Sequence, residues 1–150
     1  MNEKKVINFY STREEYGCFS NFSAHRIFLK EKIWKTTEHY FQAQKFAGTE
    51  HEEKVRLAHS PKEAAELGRS RKLPLRKDWE EVKDNIMLEA LRAKFTQHQD
   101  LKEILLGTGD AVLIEHTKND NYWADGGDGS GKNMLGILLM QLREELGNES

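Results

Sequence analysis

Trp34-Lys35-Thr36-Thr37-Glu38-His39-Tyr40-Phe41-Gln42-Ala43-Gln44-Lys45-Phe46 is the stretch on which the rest of the chain is read. A threonine at 36 or 37 can accept from the first free N–H groups of a helix, and Glu38 in the first turn suits the positive end of the helix dipole. A helix is therefore expected to begin here. Glu38, Gln42 and Lys45 follow at i, i+4 and i+7 with Phe41 between them, so an acid, an amide, an amine and a ring share one face. Such a face is either a reaction surface or a solvated stripe with Tyr40, Ala43 and Ala47 packed inward. The flanks must decide.

Upstream, Lys4 to Tyr10 has strand composition and Ser11 to Gly17 breaks into a polar loop. In Cys18-Phe19-Ser20-Asn21-Phe22 two rings bracket small hydrogen-bonding residues. Phe19 and Asn21 then either wall a pocket or serve as a core ring and a turn. Arg26 to Leu29 and Lys32 to Lys35 flank Lys30-Glu31 as a hairpin that delivers Trp34 beside the helix.

Downstream the chain reads as mostly helical. Ser60-Pro61-Lys62-Glu63 supplies a cap, a proline at the first helical position and a glutamate at the third, with Gly68 placed to close that helix. Asp78-Trp79-Glu80-Glu81 opens the longest helix, where Val82, Ile86, Met87, Ala90, Leu91 and Phe95 keep a helical period. Asp100 with Glu103 starts a short helix ended by Gly107 or Gly109, and Ala111 to Glu115 reads as a central strand. No repeat or linker divides the chain.

Length and charge bound the function. A chain of 150 residues has the common size of one domain around one core. With 23 Lys+Arg against 25 Asp+Glu the formal charge is −2, so nothing pulls strongly on nucleic acid or on a membrane surface, and a small polar ligand is the expected partner. One cysteine, Cys18, excludes an internal disulfide and fits a reducing compartment. No segment has the apolar length of a membrane span, and the expected location is cytoplasmic. Six histidines show no metal-binding spacing, so neither metal nor cofactor is expected.

Lys118 to Asn133 is long for a connection inside a domain, and its tryptophan argues against disorder. Gly126, Gly127, Gly129 and Gly131 allow backbone N–H groups to approach an anion, while Asn133 is placed to cap a final helix from Met134 to Leu146. The run nearly spells a nucleotide-phosphate loop. However, Asn133 stands where a hydroxyl would hold magnesium, and the preceding strand ends about ten residues too early.

Taken together, Phe19-Ser20-Asn21-Phe22, Trp34, Thr37-Glu38-His39-Tyr40-Phe41-Gln42-Ala43, Lys45-Phe46, Asp78-Trp79, Lys94-Phe95, Asp120-x-x-Trp123 and Gly131-x-Asn133-x-Leu135-Gly136, with Leu139-Met140 and Arg143, resemble the NADAR family in its YbiA-like N-glycosidase branch. The resemblance spans nearly the whole chain. It implies a single α+β, mostly helical domain over residues 1–150 with a few short strands. It also implies hydrolysis of the ribose C–N bond in phosphoribosylamino-pyrimidine intermediates of riboflavin biosynthesis. The alternatives are removal of ADP-ribose from guanine in a nucleotide or nucleic acid, and an ADP-ribose-binding module without turnover. One departure is Ala124, where the family has glycine after the tryptophan.

The chemistry asks for the same residue types. Cleaving a ribose C–N bond develops positive charge at the sugar carbon and needs a proton on the departing nitrogen. Glu38 with Asp120 or Asp125 can supply a carboxylate and an acid. Alternatively, Lys45 can take the sugar carbon as a Schiff base. Phe41 and Gln42 share the Glu38 face, Trp79 and Trp123 are expected to stack on the base or exclude water, and Arg13 with the loop around Gly129 and Asn133 is expected to hold phosphate. Oligomeric state is not legible in the sequence.

Overall fold

The extended backbone of Thr36 (φ −148°, ψ 166°) and its side-chain oxygen, which accepts from His39 N at 3.1 Å, fix the start of the key helix. The protein is seen in a computed structural model that describes residues 4–149. Its elements in chain order are β1 (Val6–Phe9), a 3-10 turn (Gly17–Phe19), β2 (Ile27–Leu29), β3 (Lys32–Trp34), α1 (Thr37–Gln44), α2 (Glu50–Arg56), α3 (Pro61–Arg69), α4 (Trp79–Gln97), α5 (Gln99–Gly107), β4 (Val112–Glu115) and α6 (Met134–Asn148). The class is α+β and mostly helical, as expected from the sequence. The described residues contain no helix long and apolar enough to cross a membrane.

The chain forms two compact units, Asn21–Gln97 and the remainder on either side of it. The first is built around α1. Lys30 and Glu31 take left-handed backbone (φ 54° and 63°), the geometry of a two-residue hairpin turn, and β2 pairs antiparallel with β3 so that Ile27 faces Trp34. Trp34 stands edge-on to Tyr40 at 4.9 Å and donates its indole N–H to Leu29 O at 2.9 Å. Around that pair, Ala43, Phe46, Val55, Ala58, Ala64 and Ala90 close a core to which the hairpin and all four helices of the unit contribute. Small residues at these facing positions let the helices approach closely enough to enclose α1, whose eight residues are all buried.

Gly68 does not end α3, which runs on to Arg69. It lies inside the helix because α1 packs against it so tightly that a Cβ there would lie 2.0 Å from Gln42 Oε1. His39 is likewise structural: its ring lies between Thr36 Oγ1 at 2.8 Å and Ala58 O at 3.1 Å, and burial pushes its pKa down.

In the second unit β1 pairs parallel with β4, Ile7 opposite Leu113. The strand expected to be central is thus one of two. α6 packs against it, and Gly136 permits this because a Cβ there would sit 2.0 Å from Leu113 O. Leu135, Leu138, Leu139 and Leu142 of α6 are buried, as are Leu101 and Leu105 of α5. Phe19 is fully buried, edge-on to Phe9 at 5.6 Å and stacked on Tyr16 at 5.4 Å, which makes it a core ring.

Candidate active site

Full burial of α1 changes the meaning of its polar face. Glu38, Gln42 and Lys45 keep only 7%, 5% and 9% of their surface, so the solvated stripe is excluded. Gln42 Nε2 donates to Glu38 Oε2 at 2.8 Å, holding the carboxylate as an acceptor. The other end of that amide, Oε1, is buried and has no hydrogen-bond partner among the described residues.

Lys45 follows the last residue of α1, at the cap, and its Nζ donates to Gly68 O at 3.3 Å. The ammonium also stands 5.7 Å from the Trp79 ring centre and 6.0 Å from that of Phe41, and those two rings lie 5.0 Å apart. Burial pushes the Lys45 pKa down to about 8 against the opposing pull of Glu38, with Arg71 and Arg69 pressing it further down. The lowered pKa raises the neutral fraction of the amine near neutral pH far above that of an ordinary lysine, which is what a nucleophilic lysine needs. Chemically, the cluster is a carboxylate held by an amide, an amine of lowered basicity, and two rings that exclude water.

Asn21 serves this face from below. Its Oδ1 accepts from Thr37 Oγ1 at 2.7 Å and its carbonyl accepts from Glu38 N at 3.2 Å, so it pins the first turn of α1. Lys94 stands among the residues that carry the family resemblance, but the sequence assigns it no role. It is fully buried and donates to Ser23 Oγ at 2.7 Å, while Ser23 Oγ also lies 2.9 Å from His25 Nδ1. The available signal was a lysine on the apolar face of α4, next to Phe95.

The second unit carries the other expected residues. Asp120 Oδ1 accepts from Tyr122 N and Trp123 N, each at 2.8 Å, and Trp123 stands edge-on to Tyr122 at 4.9 Å. The Asp125 carboxylate accepts from Thr117 N at 3.1 Å and Gly127 N at 2.8 Å and meets His116 Nδ1 at 2.6 Å. His116 is the main reason its pKa lies below the usual carboxylate range. A depression of about 440 Å³ lined by Lys118, Asn119, Asp120, Asn121, Gly126 and Ser130 opens beside this loop.

One expectation for the loop, a helix cap by the Asn133 side chain, is corrected, and several of the loop amides are already bonded within it. Its amides serve the loop itself: Gly126 N donates to Asp120 O, Gly127 N to Asp125, Ser130 N to Asp128 and Gly131 N to Asp125 O. Gly127 N and Ser130 N thus bond carboxylates of the loop, while Gly126 N and Gly131 N bond its backbone carbonyls. Asn133 makes no cap hydrogen bond with its side chain. Its backbone is left-handed (φ 53°), and its amide reaches β4, donating to Leu113 O at 2.9 Å and accepting from Glu115 N at 3.0 Å. Gly129 has φ 87° and open space about it, and Arg13 is exposed. Ala124 is buried without positive φ, so its methyl group imposes no strain.

Comparison with known proteins covers both units. The NADAR domain family matches residues 8–147. The chain is 57% identical over 144 residues to the N-glycosidase YbiA of Escherichia coli (strain K12), covering 96% of this chain and 90% of that one. The NMR structure of E. coli YbiA superposes with a TM-score of 0.91 at 55% identity, over 99% of this chain and 89% of the other. The riboflavin biosynthesis protein PYRR, chloroplastic, of Zea mays is 41% identical over 159 residues, which is 96% of this chain and 26% of that protein. The chain belongs to the NADAR family and is an N-glycosidase.

Proposed function

We propose that this enzyme hydrolyses the ribose C–N bond of phosphoribosylamino-pyrimidine intermediates of riboflavin biosynthesis. The observation that carries the reading is the buried α1 face, where Glu38, oriented by Gln42, lies within electrostatic reach of the Lys45 amine, which stands beside the rings of Phe41 and Trp79. The name of the maize relative supports the substrate class.

In this reading Glu38 stabilises positive charge as it develops at C1 of the ribose. Trp79 and Phe41 keep bulk water away from that carbon and offer flat apolar surface to the pyrimidine. The neutral fraction of Lys45 attacks C1 of the ring-opened imine, the C1–N bond to the pyrimidine breaks, and the departing nitrogen leaves as an amine carrying a proton. Water then adds to the lysine imine and returns the amine, giving ribose phosphate and the free aminopyrimidine. Asp120 and Asp125 take supporting roles, shaping the loop that carries Trp123, since their carboxylates are committed to backbone N–H groups.

Product analysis tests the reading. The protein is mixed separately with a ribosylaminopyrimidine phosphate and with ADP-ribosylated guanosine. Release of ribose phosphate and free aminopyrimidine from the first is expected. Turnover of the guanosine adduct alone would move the assignment to ADP-ribose removal, and turnover of neither would overturn both.

A further inference from the structure

Segment 68–76 is tied at both ends to Lys45. The Gly68 carbonyl accepts from Lys45 Nζ at 3.3 Å, and Arg76 N donates to Lys45 O at 3.0 Å, with Arg76 Nη1 reaching Gln44 O at 3.2 Å. Between the ties the chain reads Arg69-Ser70-Arg71-Lys72-Leu73-Pro74-Leu75, with three cations and no carboxylate. Arg69, Arg71 and Lys72 are exposed. Arg76, by contrast, is held by Asp78 through two nitrogens at 2.6 and 3.0 Å. The strap is further shaped by Lys72 N, which donates to Ser70 Oγ at 3.3 Å, and by Ser70 N, which donates to Leu67 O at 3.3 Å.

Positive charge gathered beside a buried amine is unfavourable in the empty protein and favours a bound anion. After burial, the charges of Arg71 and Arg69 are what press the Lys45 pKa down, so both lie within electrostatic reach of the reacting amine. In the glycine loop, by contrast, the N–H groups of Gly126, Gly127, Ser130 and Gly131 are already bonded within the loop.

We propose that Arg69 and Arg71, on the strap tied to Lys45, bind the 5′-phosphoryl group of the substrate ribose. The inference rests on the functional reading above and names how that site recognises its substrate. Guanidinium groups match a phosphoryl oxygen pair, and two of them provide a geometry that a single lysine would not. The phosphorus of a ribose 5-phosphate lies only a few bonds from C1, so an anion held on this strap keeps C1 near the Lys45 amine. The same phosphoryl chemistry is present in ribose 5-phosphate and in ADP-ribose.

The test uses binding, so it does not depend on turnover. Ribose 5-phosphate and ADP-ribose are titrated into the wild-type protein and into Arg69→Ala, Arg71→Ala and the double variant, read by calorimetry, with Lys62→Ala as a charge control on the exposed face of α3. Each arginine removed weakens phosphate binding by about tenfold and the pair by about a hundredfold, with the melting temperature kept. Whichever of the two ligands binds more tightly identifies the phosphoryl source. Unchanged affinity in the double variant, an equal loss in Lys62→Ala, or no binding of either ligand to wild type overturns the proposal. Turnover is scored separately. An enzyme that cleaves the phosphorylated substrate with an unchanged KM in the double variant keeps its function and loses this phosphate site. An enzyme that binds ribose 5-phosphate through the arginines but cleaves nothing keeps the site and loses the function.

Discussion

Replacing Gly68 with alanine tests how α3 and α1 jointly position Glu38 and Lys45. The new Cβ would lie 2.0 Å from Gln42 Oε1, 2.7 Å from Cδ and 3.0 Å from Cβ, so the amide must swing away from Glu38. Overpacking of this kind costs about 1–3 kcal/mol, and the lost hydrogen bond to a carboxylate adds about 1.5 kcal/mol. Better helix propensity returns up to about 1 kcal/mol, leaving a net loss near 2 kcal/mol. For a chain of this size that corresponds to a melting temperature lower by about 4–8 °C. Activity falls further than stability, because Glu38 loses its orienting partner and the carbonyl that holds Lys45 shifts. A double-mutant cycle separates the two effects. In a Gln42→Ala background the contacts at 2.0 and 2.7 Å are removed and only the 3.0 Å approach to Cβ remains, so Gly68→Ala becomes neutral to within about 1 kcal/mol, while kcat stays low in both Gln42→Ala variants. Equal destabilisation by Gly68→Ala in both backgrounds would refute this reasoning.

Lys45 gives a prediction with a sign. Burial lowers its pKa from 10.5 to about 8, so between those values the unfolded chain binds the proton that the folded protein has released, and the lysine's contribution to stability rises with pH across that window. Lys45→Met is therefore expected to melt higher than wild type at pH 7, and kcat/KM of the wild type to rise with pH and level off above about 8. Borohydride added during turnover should leave an adduct on Lys45 by mass spectrometry; its absence, with activity retained in Lys45→Arg, reduces the lysine to a charge. Asp125→Asn loses the charge in three contacts that hold the loop and is expected to cost about 2 kcal/mol at neutral pH. Because the Asp125 pKa is depressed, this difference is fully present above about pH 4 and fades as acid protonates the wild-type carboxylate, which melting curves down to pH 3 will follow.

Features set by nearest neighbours were legible in the sequence. Thr36 caps α1 and Ser60 caps α3, and Lys30-Glu31 turns the hairpin, because each is decided within three or four residues. The burial of the α1 face was not legible, since it depends on helices up to fifty residues away whose alanines allow close packing. Asn133 shows the same limit. Local chemistry favours a cap, but a left-handed backbone and two hydrogen bonds to a strand some twenty residues upstream outcompete it. In the glycine loop the four glycines were read for the anion they can admit. Three of those amides, of Gly126, Gly127 and Gly131, are already bonded to Asp120 and Asp125 of the same loop.

The central claim is that the carboxylate of Glu38 carries the chemistry, and Glu38→Gln tests it most directly. The substitution preserves shape and keeps an acceptor for Gln42 Nε2 while deleting the charge, so the variant should fold, with its melting temperature within a few degrees of wild type. The measurement is kcat on a ribosylaminopyrimidine phosphate, with substrate binding followed in parallel. A fall in kcat of about a thousandfold or more with binding retained is the predicted result. Activity near that of wild type in a folded Glu38→Gln protein would contradict the account.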